Sequence, residues 1–259
     1  MASTESWRWT EAGIGNRHRC SLRLQGRGPG CHRTGHGIAC VVMSGRNAVQ
    51  EVSSHSIPAI VERLGATSPV IRGAVSRYGL PPAWRREPGF ASLIYAILEQ
   101  QVSLASARAV YERLVAAIGR LDPQRFMELR PDDLRGLGFS RQKIDYCRGL
   151  ADHILSGRLD LSALDEAPDE TVRDALTALR GIGQWTADIY LLHSLGRPDV
   201  WPTGDLALRV AVQEELDLAA QPTQSQLEEL GKPFRPWRSV AARVFWHGYL
   251  VRRGIREVT

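Results

Sequence analysis

The stretch Leu179–Asp205, LRGIGQWTADIYLLHSLGRPDVWPTGD, decides how this chain is read. Gly181 and Gly183 stand one residue apart and interrupt a pattern that is helical on both sides. Residues from about 174 to 195 therefore predict a helix, a hairpin and a second helix. Glycine suits so tight a turn, because positive φ and the close approach of another backbone both exclude a side chain. The amides of Gly181 and Gly183, with the start of the next helix, offer an anion site suited to a phosphate, and such a site holds a nucleic-acid backbone without reading its sequence. Behind the hairpin a Pro-Thr-Gly turn leads to Asp205 in or beside the first turn of a helix beginning LALRV. There the helix dipole and the free amides favour an ionised carboxylate. Taken singly, the G-x-G is an ordinary helix connection and the Asp an ordinary helix cap.

From about residue 56 onward the signals stay helical and strand alternation is almost absent. Ile71, Ala74, Val75 and Tyr78 fall at i, i+3, i+4 and i+7, while FASLIYAILEQQ and LASARAVYERLVAAIG are apolar at helical period. SRQKIDYCRGLADHIL opens on Ser140 as a cap and lines Ile144, Cys147, Leu150, Ala151 and Ile154 along one face. Pro168 suits a first helical turn, Thr223 with Gln226 makes a capping-box pattern, and the last long helix is expected to begin near Pro236. The fold class is all-α, without a repeat of fixed period.

The charge is unevenly placed. The chain carries a net charge of +5, and residues 1–50, with seven arginines and two glutamates, hold all of it. The remainder is balanced, so a DNA-binding argument rests on local charge rather than on the whole chain. Residues 1–45 are rich in Gly, Arg, Ser and His without apolar period and are expected to form a disordered basic tail, with one domain over 46–259. Met43, just before the helical sequence, is a candidate natural start. Cys31, His32, His36 and Cys40 lack the paired short spacing of a structural zinc site, and four cysteines in all, three of them in the tail, point to a reducing compartment without a disulfide framework. No apolar run reaches the roughly 18 residues of a membrane span, nor does the start carry the apolar core of a secretory signal. The expectation is a cytoplasmic protein without membrane contact.

Taken together, Leu179, Gly181, Ile182, Gly183 and the later Asp205 resemble the helix-hairpin-helix DNA glycosylases, whose motif is a Leu-x-Gly-Val/Ile-Gly hairpin followed about twenty residues on by an essential Asp. GIGQWTA is most similar to the 3-methyladenine DNA glycosylase II branch. ILEQQVSLASA, LGFSRQKIDY and PWRSVAARVFW are similar to further segments of it, so that the resemblance runs from about residue 56 to 253. It implies a two-lobed helical core with a cleft between the lobes, and a monomeric, monofunctional enzyme that flips an alkylated purine out of double-stranded DNA and hydrolyses its N-glycosidic bond, leaving an abasic site.

By the same resemblance Asp205 is the catalytic carboxylate, and Trp185 and Trp246 are pocket aromatics for a cationic purine. Ile189 stands where relatives have a pocket tyrosine, with Tyr190 beside it as a substitute. DNA contacts fall to Gly181, Gly183, Gln184 and Thr186 at the hairpin, to Gln100 and the wedge position Gln101, and to Arg141 and Lys143 on a second turn. The main-chain carbonyls of Thr177, Leu179 and Ile182 would hold a structural Na or K ion, and no other cofactor is implied. The departures narrow the branch. The C-terminal part has no cysteine for an iron-sulfur cluster, Trp185 replaces the lysine of lyase-active members, and residues 46–90 are too short and too helical for the β-rich domain of longer bacterial members.

Overall fold

The computed structural model describes residues 51–255. The expected tail, its candidate start Met43 and the residues Cys31, His32, His36 and Cys40 lie outside the described residues. Among the described residues there are helices and no strand, and no helix is long and apolar enough to cross a membrane.

In chain order the helices are α1 (Ile57–Thr67), α2 (Pro69–Tyr78), α3 (Phe90–Glu99), α4 (Leu104–Ile118), α5 (Pro123–Glu128), α6 (Pro131–Gly136), α7 (Arg141–Leu155), α8 (Leu161–Leu164), α9 (Asp169–Thr177), α10 (Gln184–Ile189), α11 (Leu206–Glu215), α12 (Gln224–Gly231) and α13 (Arg238–Arg252). Their starts follow local chemistry. The hydroxyl of Ser103 accepts from Ser106 N–H and that of Ser140 from Lys143 N–H, while Thr223 and Gln226 exchange side chain for backbone in a capping box. Two expected starts move. Pro168 is the residue before α9 rather than its first turn, and its carbonyl accepts from Val172 N–H. The last helix begins at Arg238, because Trp237 at φ −116°, ψ 31° is not helical.

The helices pack in two sets. In one, α1 and α2 from the start of the described chain pack on each other and against α13 from its end, which also packs with α11; in the other, α3 packs with α4, α7 and α10, and α10 with α9. The sets meet where α10 runs on into a π-helical turn, Tyr190–Ser194, which also packs on α3. That wider turn closes with Leu195 N–H on the Tyr190 carbonyl, and π turns of this kind concentrate at functional sites. Neighbours saturate the carbonyls it displaces: Leu191 takes Arg197 N–H, Leu192 takes Arg243 Nη2 and His193 takes Arg86 N–H.

Arg243, fully buried on α13, fastens this junction through backbone alone. It donates to the carbonyls of Ala83 at 2.9 Å, Leu192 at 2.8 Å and Ser239 at 2.9 Å. With no carboxylate against it, burial drags the guanidinium down to about 9. Ala83 belongs to the non-helical strap of residues 79–89 between α2 and α3, so one side chain ties that strap, the π turn and the last helix together.

Candidate active site

The hairpin is built from unequal glycines. Gly181 has φ +91°, and a Cβ placed there would lie 2.0 Å from the ring of Tyr146 on α7. Both the conformation and the packing demand glycine. Gly183 differs from the sequence expectation. Its backbone is extended, at φ −97°, ψ 178°, and a Cβ there would meet nothing within 4 Å, so nothing inside the protein requires glycine at that position.

Three elements converge on the hairpin. Gln100, just past α3, donates through Nε2 to the Gly181 carbonyl at 2.9 Å and to Thr186 Oγ1 at 3.0 Å. Tyr146 of α7 covers Gly181, and Lys143 of the same helix donates to the Leu98 carbonyl at 2.7 Å, at the end of α3 where the helix dipole favours a cation. Beneath the hairpin, buried Asp188 receives Arg173 Nε at 2.8 Å and so links α10 to α9; burial pushes its carboxyl up while the guanidinium opposes that shift.

Four of the expected DNA and pocket residues turn to partners within the protein. Thr186 is buried, and its hydroxyl is spent on Gln100. Gln100 is a fastener of the hairpin, and Lys143 turns inward, where burial lowers its ammonium below the usual lysine range. Tyr190 is 1% exposed in the core, its hydroxyl accepts from Gly89 N–H at 3.0 Å, and burial raises the phenol to about 12; Ile189 is buried beside it. Both are packed in the core. Gln184 and Arg141 are exposed, and Gln101 is exposed in a left-handed conformation at φ +57°, unusual for a residue other than glycine. Arg180, exposed in the hairpin itself, was not singled out by the sequence reading.

Asp205 is the N-cap of α11, and three N–H donors converge on it. Oδ1 accepts from Leu208 N–H at 2.6 Å and from Trp246 Nε1 at 2.9 Å, and Oδ2 accepts from Trp185 Nε1 at 2.8 Å. A carboxylate offers about four lone-pair positions over its two oxygens, so Oδ2 retains more open capacity than Oδ1. The two tryptophans that sequence placed in one site are thus brought together, but by their N–H edges. Trp246 is 8% exposed and one of its faces is stacked on His193, with ring centroids 5.7 Å apart and planes 21° apart; Trp185 is only half-buried. His193 escaped the sequence reading, since a lone histidine in an apolar helix ordinarily belongs to the core.

An all-helical fold with a glycine hairpin on one set of helices and a capped carboxylate at the junction with the other defines a class, and comparison with known proteins agrees with it. Over residues 94–236 the chain matches the HhH-GPD superfamily base excision DNA repair proteins, and it belongs to that family. Among its relatives are Bacillus subtilis YfjP, 32% identical over 60% of this chain and 56% of its own length, and DNA-3-methyladenine glycosylase 1 of Schizosaccharomyces pombe, 29% identical over 62% of this chain and 72% of its own. The chain thus spans little more than half of the Bacillus subtilis relative. Among solved structures, a DNA-3-methyladenine glycosidase of Bacillus halodurans aligns with TM-score 0.63 at 32% identity, over 75% of this chain and 91% of its own. The Schizosaccharomyces pombe 3-methyladenine DNA glycosylase in complex with abasic DNA shares the fold, with TM-score 0.68 at 24% identity over 75% and 97%.

Proposed function

We propose that this protein is a monofunctional DNA glycosylase of the 3-methyladenine glycosylase II type, which flips an alkylated purine out of duplex DNA and hydrolyses its N-glycosidic bond, leaving an abasic site. The observation that carries the reading is Asp205: an N-cap carboxylate held by two indole N–H groups from opposite sets of helices, behind a glycine hairpin.

The three donors fix the carboxylate in direction, which is the preorganisation that electrostatic catalysis requires. As the glycosidic bond breaks, positive charge grows on the sugar. Oδ2, the less occupied oxygen, faces that charge and orients the attacking water. An N-alkylated purine already carries positive charge and leaves without protonation, and its weakened pairing lowers the few kcal/mol needed to unstack it. The part-exposed face of Trp185 is the surface left for such a cation, worth roughly 0.5–2 kcal/mol depending on desolvation. Trp246 serves the reaction by orienting Asp205.

DNA is held at the hairpin. The empty space over Gly183 is where a phosphate approaches the amides of Gly181 and Gly183, which donate in none of the turn's backbone bonds. Gln184, Arg141 and exposed Gln101 complete the contact, with Gln101 as the wedge. A Na or K ion on the hairpin carbonyls belongs to the same reading. The Leu179 carbonyl accepts from Ile182 N–H at 3.1 Å and keeps a lone pair, and the Thr177 and Ile182 carbonyls accept no turn bond, a hard-oxygen set that suits such a cation. A non-catalytic hairpin module would have no use for a carboxylate bracketed by two indoles. Incubating the protein with methylated duplex DNA and identifying the released bases tests the reading. Release of 3-methyladenine and 7-methylguanine by the wild type, reduced by about 10² or more in folded Asp205→Asn, is the expected result. Undiminished release by Asp205→Asn would overturn it.

A further inference from the structure

Resting on the reading of Asp205 as the catalytic carboxylate, we propose that His193 is a positioning residue for it, acting through the Trp246 ring: the imidazole, braced by the strap between α2 and α3, fixes the plane in which the indole N–H meets Asp205.

The chain of contacts is continuous. The strap presents the carbonyl of Trp84, a residue held at φ +45°, to His193 Nδ1 at 2.9 Å. A carbonyl only accepts, so Nδ1 carries the proton. Two residues along the strap, Arg86 N–H donates to the His193 carbonyl at 2.9 Å, and one residue before Trp84 the Ala83 carbonyl takes Arg243. His193 is therefore gripped at side chain and backbone by one segment, which buried Arg243 fastens in turn. The imidazole then stacks on Trp246, whose Nε1 donates to Asp205 Oδ1 at 2.9 Å.

Such a brace matters because of how an indole points its proton. The Nε1–H bond lies in the ring plane, and rotation about the bond joining ring to side chain is broad rather than confined to narrow staggered wells. A ring free to swing would sweep its N–H through an arc and let Oδ1 follow. A flat ring stacked on the indole removes that freedom, and the bond from His193 Nδ1 to the Trp84 carbonyl adds to the hold that packing already has on the imidazole. The π turn sets the brace in place, with its backbone secured by the bonds to Arg86, Arg197 and Arg243. Burial, with the charges of Arg86 and Arg243, pulls the imidazole well below the usual histidine range. The brace therefore adds no charge beside a site that receives a cationic base.

The test is single-turnover excision from a methylated duplex at saturating enzyme, alongside affinity for an abasic duplex. Small misplacements of a reacting group remote from the mutated residue cost up to about a hundredfold, and His193→Ala is expected to slow the chemical step roughly tenfold with little change in affinity. His193→Phe, which keeps a stacked ring, should recover most of the rate. His193→Asn, which keeps a donor for the Trp84 carbonyl without a ring, should remain slow. The decisive measurement is a double-mutant cycle: if His193 acts through the indole, removing it in a Trp246→Phe background slows excision by less than about twofold further. A full tenfold cost in that background, or a Phe variant as slow as Asn, would overturn the proposal. Should His193→Ala fail to fold, Phe against Asn decides alone, with equal rates rejecting the brace. Failure of the underlying reading would show elsewhere, as undiminished excision by Asp205→Asn.

Discussion

Alanine at Gly181 and alanine at Gly183 should have opposite consequences, although the two positions look interchangeable in the sequence. At Gly181 an L residue is forced to φ +91°, which costs about 1–2 kcal/mol, and its Cβ falls 2.0 Å from the Tyr146 ring. Overpacking of that kind adds about 1–3 kcal/mol. The total of about 2–5 kcal/mol translates, for a domain of this size, into a fall in Tm of about 4–20 °C. At Gly183 the backbone is extended and the new methyl meets nothing, so stability should change by no more than about 0.5 kcal/mol, or about 2 °C. The DNA phenotype separates the two further: Gly183→Ala should bind an abasic duplex more weakly at an unchanged Tm, because its methyl stands where the phosphate approaches. Thermal melts followed by circular dichroism, with fluorescence anisotropy on a labelled duplex, measure both. Repeating Gly181→Ala in a Tyr146→Ala background removes the clash and leaves the strain, so the further loss there should shrink to about 1–2 kcal/mol. A Gly181→Ala protein melting within 2 °C of wild type, or a Gly183→Ala protein as destabilised as Gly181→Ala, would refute the assignment of one glycine to the protein and the other to its ligand.

Two further outcomes are expected. Arg141→Gln should weaken binding to undamaged and abasic duplexes alike and lower the slope of log affinity against log salt by about 0.9, the loss of one phosphate contact; an unchanged slope would remove Arg141 from the interface. Strand scission by β-elimination needs an amine that forms a Schiff base with the sugar, and of the only two lysines in the chain Lys143 is hydrogen-bonded to Leu98 and Lys232 is paired with Glu229. A labelled alkylated duplex should therefore break only after hot alkali, and borohydride should trap no protein on DNA; a trapped adduct would require a bifunctional mechanism.

How much of this was legible in the sequence depended on the range of the interactions concerned. Helices α3, α4 and α7 could be read because a 3.6-residue apolar period and a serine cap are local facts, and the capping box of Thr223 and Gln226 is equally local. The burial of Tyr190 was itself legible. Five residues after Trp185 on a helix of 3.6 residues per turn, it lies about 140° around the axis and cannot share that tryptophan's face. The inward turns of Gln100, Thr186 and Lys143 were not legible, since each depends on a partner brought in by tertiary folding, and a polar side chain beside a hairpin reads alike whether it meets a carbonyl or a phosphate. The π turn was equally hidden, because its composition is that of a helix and only the Leu195 to Tyr190 hydrogen bond distinguishes it.

Asp205 shows why choosing between a structural and a catalytic reading was the wrong question for this residue. As a cap it needs Leu208, three residues away, and any helix supplies that much. As an oriented carboxylate it also needs Trp185, which α10 contributes from one set of helices, and Trp246, which α13 contributes from the other. The cap and the proposed catalytic carboxylate are one hydrogen-bonded arrangement at two ranges. The local part holds as long as α11 is formed, whereas the indole pair is complete only when both sets of helices are docked in register. Loosening that junction, for instance through the buried Arg243 that ties the strap and the π turn to α13, would withdraw an indole from Oδ1 or Oδ2 while the cap to Leu208 persists. A helix cap alone would not register such a change, and the excision rate would.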